Sequence, residues 1–329
     1  MMHSCYNPHM DYIVFDLEWN QCPYGKEREV RTLPFEIIEI GAVKLNKDRE
    51  IIDKFHRIVR PQVYPKLHFR TREIVGKTEE ELQKGVLFTE AVSEFLAWAG
   101  QDSMFGTWGV VDLIELQRNM KYYNLLHLLK GPLHFYDIQK LFAIAYEDMK
   151  SRRALEYAID FLKLEKNMEF HQALSDAWYT AEVFQKIDWD IVLAYDSIDV
   201  YQNPKKKEDE IHAVYNGYSK FISREFATKE DALEDKEVVS THCCLCGRAM
   251  KKKLRWFSVG AKNYYCIANC SEHGYMKGKI RMKKTDEGDF FVVKTIKVSS
   301  EAEADLVRGR KEQQTLKRRI KMRRAKLSR

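Results

Sequence analysis

The chain has 329 residues, 45% of them hydrophobic, and a formal net charge of +6. That length allows one large domain or two ordinary ones, with enough apolar content to bury a core. No stretch approaches the roughly 20 apolar residues of a membrane helix, and residues 1–10 have no signal-peptide core, so a cytoplasmic protein without membrane contact is expected.

Tyr12 to Phe15 form a β-prone apolar run, and Asp16 and Glu18 follow at alternate positions. Alternate residues of a strand share a face. A strand buried on both faces should not carry two same-side acids unless a metal or another partner compensates them. A lone D-x-E pair is more often a solvated edge strand, so the pair alone decides nothing.

Residues 21–32 read as a loop. Residues 34–45, rich in β-branched side chains, predict a second strand, 46–48 a turn, and 51–59 a third strand, making a hairpin against the first. Short helical pieces are predicted at 71–74 and 79–82. Thr89 is expected to cap an amphipathic helix whose apolar side carries Ala91, Val92, Phe95, Leu96 and Trp98. Residues 103–107 are a short strand, 108–112 the turn into a helix over about 113–123, and 133–136 another strand. Helices are predicted near 138–146, 154–162 and 173–187. Three strands followed by alternating strands and helices describe an α/β fold with a mixed sheet, a hairpin edge and parallel strands crossed by helices. In such sheets function gathers at strand ends and helix starts.

The first domain is predicted to span residues 1–190. Residues 191–240 change character: 203–210 is a charged linker candidate and 215–233 a helical connector. Residues 241–300 make a small β-rich unit with strands near 254–259, 263–268, 279–283 and 290–298, and 301–329 a basic tail. From Arg308 to Arg329 there are eleven Lys and Arg against one acid, Glu312, a net +10 that leaves −4 for the rest of the chain. Such a block reads as an arm that contacts nucleic acid or another polyanion, or as a solubilising tail without a partner.

Two further acids fit the opening pair. Asp112 follows a strand at the mouth of a helix, with Gly106 and Gly109 relieving backbone crowding. Asp176 lies in His171-Gln172-Ala173-Leu174-Ser175-Asp176-Ala177, where Ala173, Ala177, Ala181 and Phe184 share an apolar helix face and leave Asp176 on another side. Singly, Asp112 and Asp176 also fit helix N-terminal charges, and His171 a surface or capping residue. Four carboxylates meeting at one end of a sheet suit Mg²⁺ or Mn²⁺. Two such ions roughly 3.5–4 Å apart clamp the attacking and leaving oxygens of a phosphodiester displacement. His171 is then placed to take the proton of the attacking water.

Phe15-Asp16-Leu17-Glu18, Trp108-Gly109-Val110-Val111-Asp112 and the His171–Asp176 segment, in that order, resemble the three motifs of the DEDDh 3′–5′ exonucleases, a branch of the ribonuclease H-like fold. The resemblance covers about residues 10–190, with 37–43 as the usual second strand. The middle motif is similar to that of the subgroup containing histone-mRNA and RNA-interference-limiting exoribonucleases and bacterial sporulation-inhibitor-like exonucleases. The resemblance implies that Asp16, Glu18 and Asp176 hold one metal, that Asp16 bridges to a second which Asp112 supports through water, and that His171 is the base. The sister branch has a tyrosine four residues before its last aspartate. Here Gln172 stands there and His171 one earlier. Residues 68–78 match the family's histidine- and glycine-containing segment only loosely. The implied activity is metal-dependent 3′–5′ hydrolysis of single-stranded nucleic acid, RNA ahead of DNA, to nucleoside 5′-monophosphates. The alternative is an inactive nucleic-acid-binding protein of the same fold.

Five of seven cysteines fall between Cys243 and Cys270. An odd, clustered set without an export signal points to metal before disulfides. Cys243 and Cys246 form a C-x-x-C-G knuckle and Cys270 and His273 a C-x-x-H-G knuckle, together able to close one structural Zn²⁺ site in a ribbon-like module. Cys244 and Cys266 compete as ligands, and a cluster of reduced, buried thiols is the other reading. Lys251, Lys252, Lys253 and Arg255 precede Trp256 and Phe257, and Tyr264 and Tyr265 follow. Those rings either stack bases of a single strand or fill the core of a small β-unit.

Overall fold

The computed structural model describes residues 10–149, 151–260 and 262–327, without the side chains at 318 and 321–327. Residues 1–9, expected to lack a signal-peptide core and including Cys5, and the cations at the end of the basic tail lie outside the described residues. The chain divides into two compact units between Gln202 and Asn203.

The first unit runs β1 (Asp11–Gln21), β2 (Phe35–Leu45), β3 (Ile51–Ile58), α1 (Phe69–Val75), α2 (Glu79–Gln83), α3 (Phe88–Ala99), β4 (Ser103–Thr107), α4 (Val111–Tyr122), β5 (His134–Asp137), α5 (Ile138–Tyr146), α6 (Leu155–Leu162), α7 (Ala173–Lys186), α8 (Trp189–Ala194) and β6 (Ser197–Ile198). Its sheet has the order β3-β2-β1-β4-β5-β6. β1 pairs antiparallel with β2 and parallel with β4, so the expected mixed α/β sheet flanked by helices is what the chain forms. β1 is apolar on both faces because both are covered. Ile13, Phe15 and Leu17 pack with Phe88, Phe95, Leu113 and Leu116 of α3 and α4. Tyr12 and Val14 pack with Ile138, Phe142, Ala177 and Phe184 of α5 and α7. Burying each such large side chain stabilises the fold by about 1.5–3 kcal/mol.

One predicted cap differs. The N-cap of α3 is Leu87, with no side-chain hydrogen bond, and Thr89 sits inside the first turn. Phe88, 2% exposed, anchors that helix start in the core instead, so packing fixes the boundary that a hydroxyl was expected to fix.

The second unit runs β7 (Ile211–Tyr215), β8 (Tyr218–Ile222), α9 (Lys229–Glu234), α10 (Lys236–Val239), β9 (Lys251–Ser258), β10 (Asn263–Cys270), β11 (Gly274–Lys284), β12 (Phe290–Val298) and α11 (Glu301–Leu327). All six strands form one antiparallel sheet, ordered β7-β8-β12-β11-β10-β9. The linker and helical connector expected across 191–240 give way to structure on both sides of the division. α8 and β6 complete the first unit, and β7 and β8 are a hairpin built into the second sheet. The hairpin turns at Asn216-Gly217, with Gly217 at φ +81, the left-handed backbone a two-residue turn requires. Tyr215 and Tyr218 close it, their rings stacked 4.6 Å apart.

One face of this sheet packs Phe221, Ile280, Met282 and Val292 against Ala232 and Val238. On the other, Ala304 and Val307 of α11 dock on Ile267, and Gln314 donates to the Ser258 carbonyl. Phe257, Tyr265 and Tyr275 pack against this seam, under the cations of Lys311, Arg310 and Arg308. Trp256 donates its indole N–H to the Val239 carbonyl at 2.9 Å. These rings therefore serve packing. Among the described residues no helix is long and apolar enough to cross a membrane.

Candidate active site and candidate metal centre

One face of β1 changes chemistry along its length, from Tyr12 and Val14 to Asp16 and Glu18, at the carboxyl end of the parallel pair β1 and β4. Asp16 lies opposite Gly41 on β2, and the register slips just after Glu18; a bulge there re-aims side chains locally. A Cβ on Gly41 would stand 2.1 Å from Leu174 N and 2.5 Å from the Ala173 carbonyl oxygen. Glycine is what lets the first turn of α7 lie on the sheet beside the acids. That turn carries Asp176. His171 precedes it in the left-handed region, φ 62, and donates its backbone N–H to Asp176 Oδ2 at 3.1 Å. Potential ligand atoms of Glu18, His171 and Asp176 all lie within 4.8 Å of one another.

Asp112 arrives from the neighbouring strand. β4 ends at Thr107, whose hydroxyl donates to the Gly109 carbonyl at 2.6 Å, and Gly109, at φ 98, turns the chain into α4. Asp112, in the first turn of that helix, is 6% exposed, and its carboxylate accepts the backbone N–H of Leu17. Asp16 and Asp112 are not within the tight group of ligand atoms; charge couples them to it.

That coupling is visible in their protonation. Burial first, then the charges of Asp112, Glu18, Asp176 and Glu39, hold the Asp16 carboxyl well above the usual carboxylate range. Burial and the neighbouring acids push Glu18 up to about 8. Burial raises Asp112 to about 7, against the N–H groups that it accepts, and raises Asp176 to about 6. Asp176 Oδ1 is buried with no hydrogen-bond partner. Orphaned carboxylate oxygen in a buried site is costly, and a set made of oxygen donors compensates it by holding a hard divalent cation. The residues present thus fit Mg²⁺ or Mn²⁺.

A fifth acid escaped the sequence reading. Glu39 stands directly opposite Glu18 in the β1–β2 register and is 1% exposed. Its signal was the one used for β1, a carboxylate inside an apolar run, Ile38-Glu39-Ile40. Nearby Glu36 is different in kind: it accepts backbone N–H groups from Gln62, Val63 and Tyr64 and is structural.

In the second unit Cys243, Cys246, Cys270 and His273 come together, their ligand atoms all within 4.8 Å. Cys243 Sγ and Cys270 Sγ each lie 3.6 Å from His273 Nδ1, and Cys246 Sγ lies 3.8 Å from Cys270 Sγ. A zinc–sulfur bond of about 2.3 Å gives a tetrahedral edge of roughly 3.8 Å, so the donor set fits Zn²⁺. Gly247 and Gly274, after the second ligand of each knuckle, take φ 72 and φ 69. Backbone N–H groups of Glu272 and His273, then the imidazole, hold the Cys270 thiol down to about 6, which favours the ligating thiolate. Cys266 lies apart on β10, 0% exposed, its thiol pushed up to about 12 by burial. Cys244 rests against Met276 Sδ at 3.7 Å.

The exonuclease family model, RNase_T, matches residues 13–184, more than half of the chain. The probable 3′-5′ exonuclease KapD of Bacillus subtilis is 26% identical over 179 residues, 54% of this chain and 84% of that protein. The PolC-type DNA polymerase III of Caldanaerobacter subterraneus is 28% identical over 177 residues, again 54% of this chain but 11% of the polymerase. Among solved structures, the nuclease domain of 3′hExo, described as a DEDDh family member bound to rAMP, aligns at a TM-score of 0.46 and 19% identity, covering 55% of this chain and 92% of that one. The chain belongs to the exonuclease family, as a hydrolytic 3′–5′ exonuclease.

Proposed function

We propose that this protein removes nucleotides one at a time from single-stranded 3′ ends, RNA ahead of DNA, releasing nucleoside 5′-monophosphates in a reaction that needs Mg²⁺ or Mn²⁺. The observation that carries it is the buried carboxylate set at the end of β1, with one orphaned oxygen on Asp176 and an exposed histidine, His171, beside it. Asp16, Glu18 and Asp176 would hold one cation, with Asp112 supporting a second. The cations would supply charge neutralisation of the phosphodiester and acidify the attacking water. His171 sits on the solvent side, where its imidazole can take that water's proton. Asp176, by accepting the His171 N–H, fixes the loop from which the ring works. The motif resemblance to exoribonucleases supports RNA over DNA. We place one structural Zn²⁺ on Cys243, Cys246, Cys270 and His273, and the lysine- and arginine-rich surface of the second unit on the substrate strand. Reduced, metal-ligating cysteines suit a cytoplasmic setting.

Labelled single- and double-stranded RNA and DNA oligomers with free 3′ ends test this. Wild type with Mn²⁺ should shorten the single-stranded RNA from its 3′ end to mononucleotides. Asp16→Ala should abolish release while the circular dichroism spectrum is unchanged. Undiminished activity in that variant, or internal cuts by the wild type, would remove the proposal.

A further inference from the structure

Glu39 poses an electrostatic problem. Directly opposed residues of an antiparallel pair have side chains on one face about 4.5–5.5 Å apart, and like charges there repel. Glu18 and Glu39 are such a pair, and Glu39 is almost fully buried. Two basic groups reach it. His56 of β3 brings Nε2 to 2.7 Å from Oε1, and Lys77 brings Nζ to 2.8 Å from Oε2. Oε1 is hydrogen-bonded to His56, whereas Oε2, which has no aligned hydrogen bond, is held by the charge of Lys77 alone. Burial alone would raise the Glu39 carboxyl, but the His56 hydrogen bond and the Lys77 ion pair outweigh it and hold it below its ordinary value.

The lysine is delivered by a turn braced on both sides. Gly76 before it is the left-handed C-cap of α1, φ 63. Thr78 after it is the N-cap of α2, with a capping box to Glu81. The Lys77 side chain is 16% exposed, so its charge faces the acid cluster more than water.

We propose that Lys77 is a positioning residue that sets the cation affinity of the active site: by occupying Glu39 it leaves Glu18 as the unpaired member of the cross-strand pair and places a fixed positive charge beside the cation site. This rests on reading the β1 acids as a cation site. A positive charge so close weakens binding of a divalent cation, so Lys77 trims an excess of negative charge that would otherwise trap the ions.

The test is calorimetric titration of Mn²⁺ into the full chain, dialysed free of Mg²⁺ and Mn²⁺ but keeping its zinc, together with thermal denaturation. Thiolates prefer softer metals, so Mn²⁺ reports on the acids and not on the cysteines. Lys77→Met should bind Mn²⁺ about tenfold more tightly, while being less stable without it. Glu39→Gln, which leaves the ammonium unopposed, should bind it about tenfold more weakly. The double variant should return to within about threefold of wild type, because the two charges cancel. A purely structural ion pair would lower stability in both single variants and leave Mn²⁺ affinity alone. That outcome, or shifts of the same sign in both, overturns the proposal. If Lys77→Met does not fold, Glu39→Gln and the double variant still decide it. Calorimetry needs no turnover, so a chain that binds Mn²⁺ without cutting would sink the exonuclease reading and leave these shifts standing.

Discussion

Gly41 of β2 lies beneath Leu174 of α7, so close that any side chain on the glycine would overlap the leucine's backbone nitrogen at 2.1 Å. This contact holds two sequence-distant parts of the site together, because Gly41 is also the cross-strand partner of Asp16. Gly41→Ala must push the start of α7 off the sheet. Overpacking of this kind costs about 1–3 kcal/mol, but the larger effect should be on catalysis, since a displacement near 1 Å costs on the order of a hundredfold. Nucleotide release should fall far more than the melting midpoint does. A variant with normal release would show that α7 does not need this approach.

His171 holds a left-handed backbone, φ 62, which asparagine tolerates better than most residues. His171→Asn therefore keeps the loop and removes the imidazole. If His171 takes the proton of the attacking water, kcat should drop by about 10²–10⁴-fold, with Mn²⁺ affinity and melting midpoint little changed. A loss confined to KM would assign the ring to substrate binding instead.

Much of this site is legible in the sequence because its signals are local. The alternation that sets Asp16 and Glu18 on one face, the glycines before Asp112 and the alanine face beside Asp176 are each readable within a few residues, and their order supplied the rest. Glu39 was not singled out, because its meaning depends on the β1–β2 register and on Lys77 and His56, which the sequence places far away. The β7–β8 hairpin was missed for another reason. Asn216-Gly217 between alternating apolar runs is a strong turn signal, but the charged run at 203–210 just before it suggested a linker. The second sheet needs both strands: Ile222 pairs with Val293 and is fully buried. Of the four strands after it, β10 and β12 lie close to their expected places, marked by aromatic and β-branched residues, whereas β9 and β11 start earlier than expected, at Lys251 and Gly274, because lysine and glycine there hide the strand signal.

The raised carboxyls give a pH dependence with a definite sign. Burial lifts Asp112, Asp176 and Glu18 to about 7, 6 and 8 from ordinary values of 3.8, 3.8 and 4.5. Across that interval the folded chain binds more protons than the unfolded one, so stability falls as pH rises. Their contribution is complete below about pH 4 and lost as pH passes about 8. Without divalent ions, the melting midpoint of wild type should drop between about pH 5 and pH 8 more steeply than that of Glu18→Gln. Millimolar Mn²⁺ should restore it at about pH 8 and do little near pH 5, where protons occupy the same oxygens. Equal Mn²⁺ shifts at both values would mean the ion binds elsewhere.

The cysteine cluster makes a prediction that separates ligands from bystanders. Cys243, Cys246, Cys270 and His273 group within 4.8 Å, whereas the Cys266 sulfur lies among packed side chains, 2.4 Å from where a Cβ on Gly278 would stand. Metal analysis of the purified full chain should give one zinc, lost in Cys243→Ala and in Cys270→Ala. Cys244→Ala and Cys266→Ala should keep it, though the latter should lower the melting midpoint by opening a small cavity in the sheet. Because folding free energy and metal binding are linked, a strong chelator should destabilise the second unit and leave Mn²⁺ binding by the first unit intact once the chelator is removed. Zinc retained by Cys270→Ala and lost by Cys266→Ala would move the centre from the two knuckles into the strands between them.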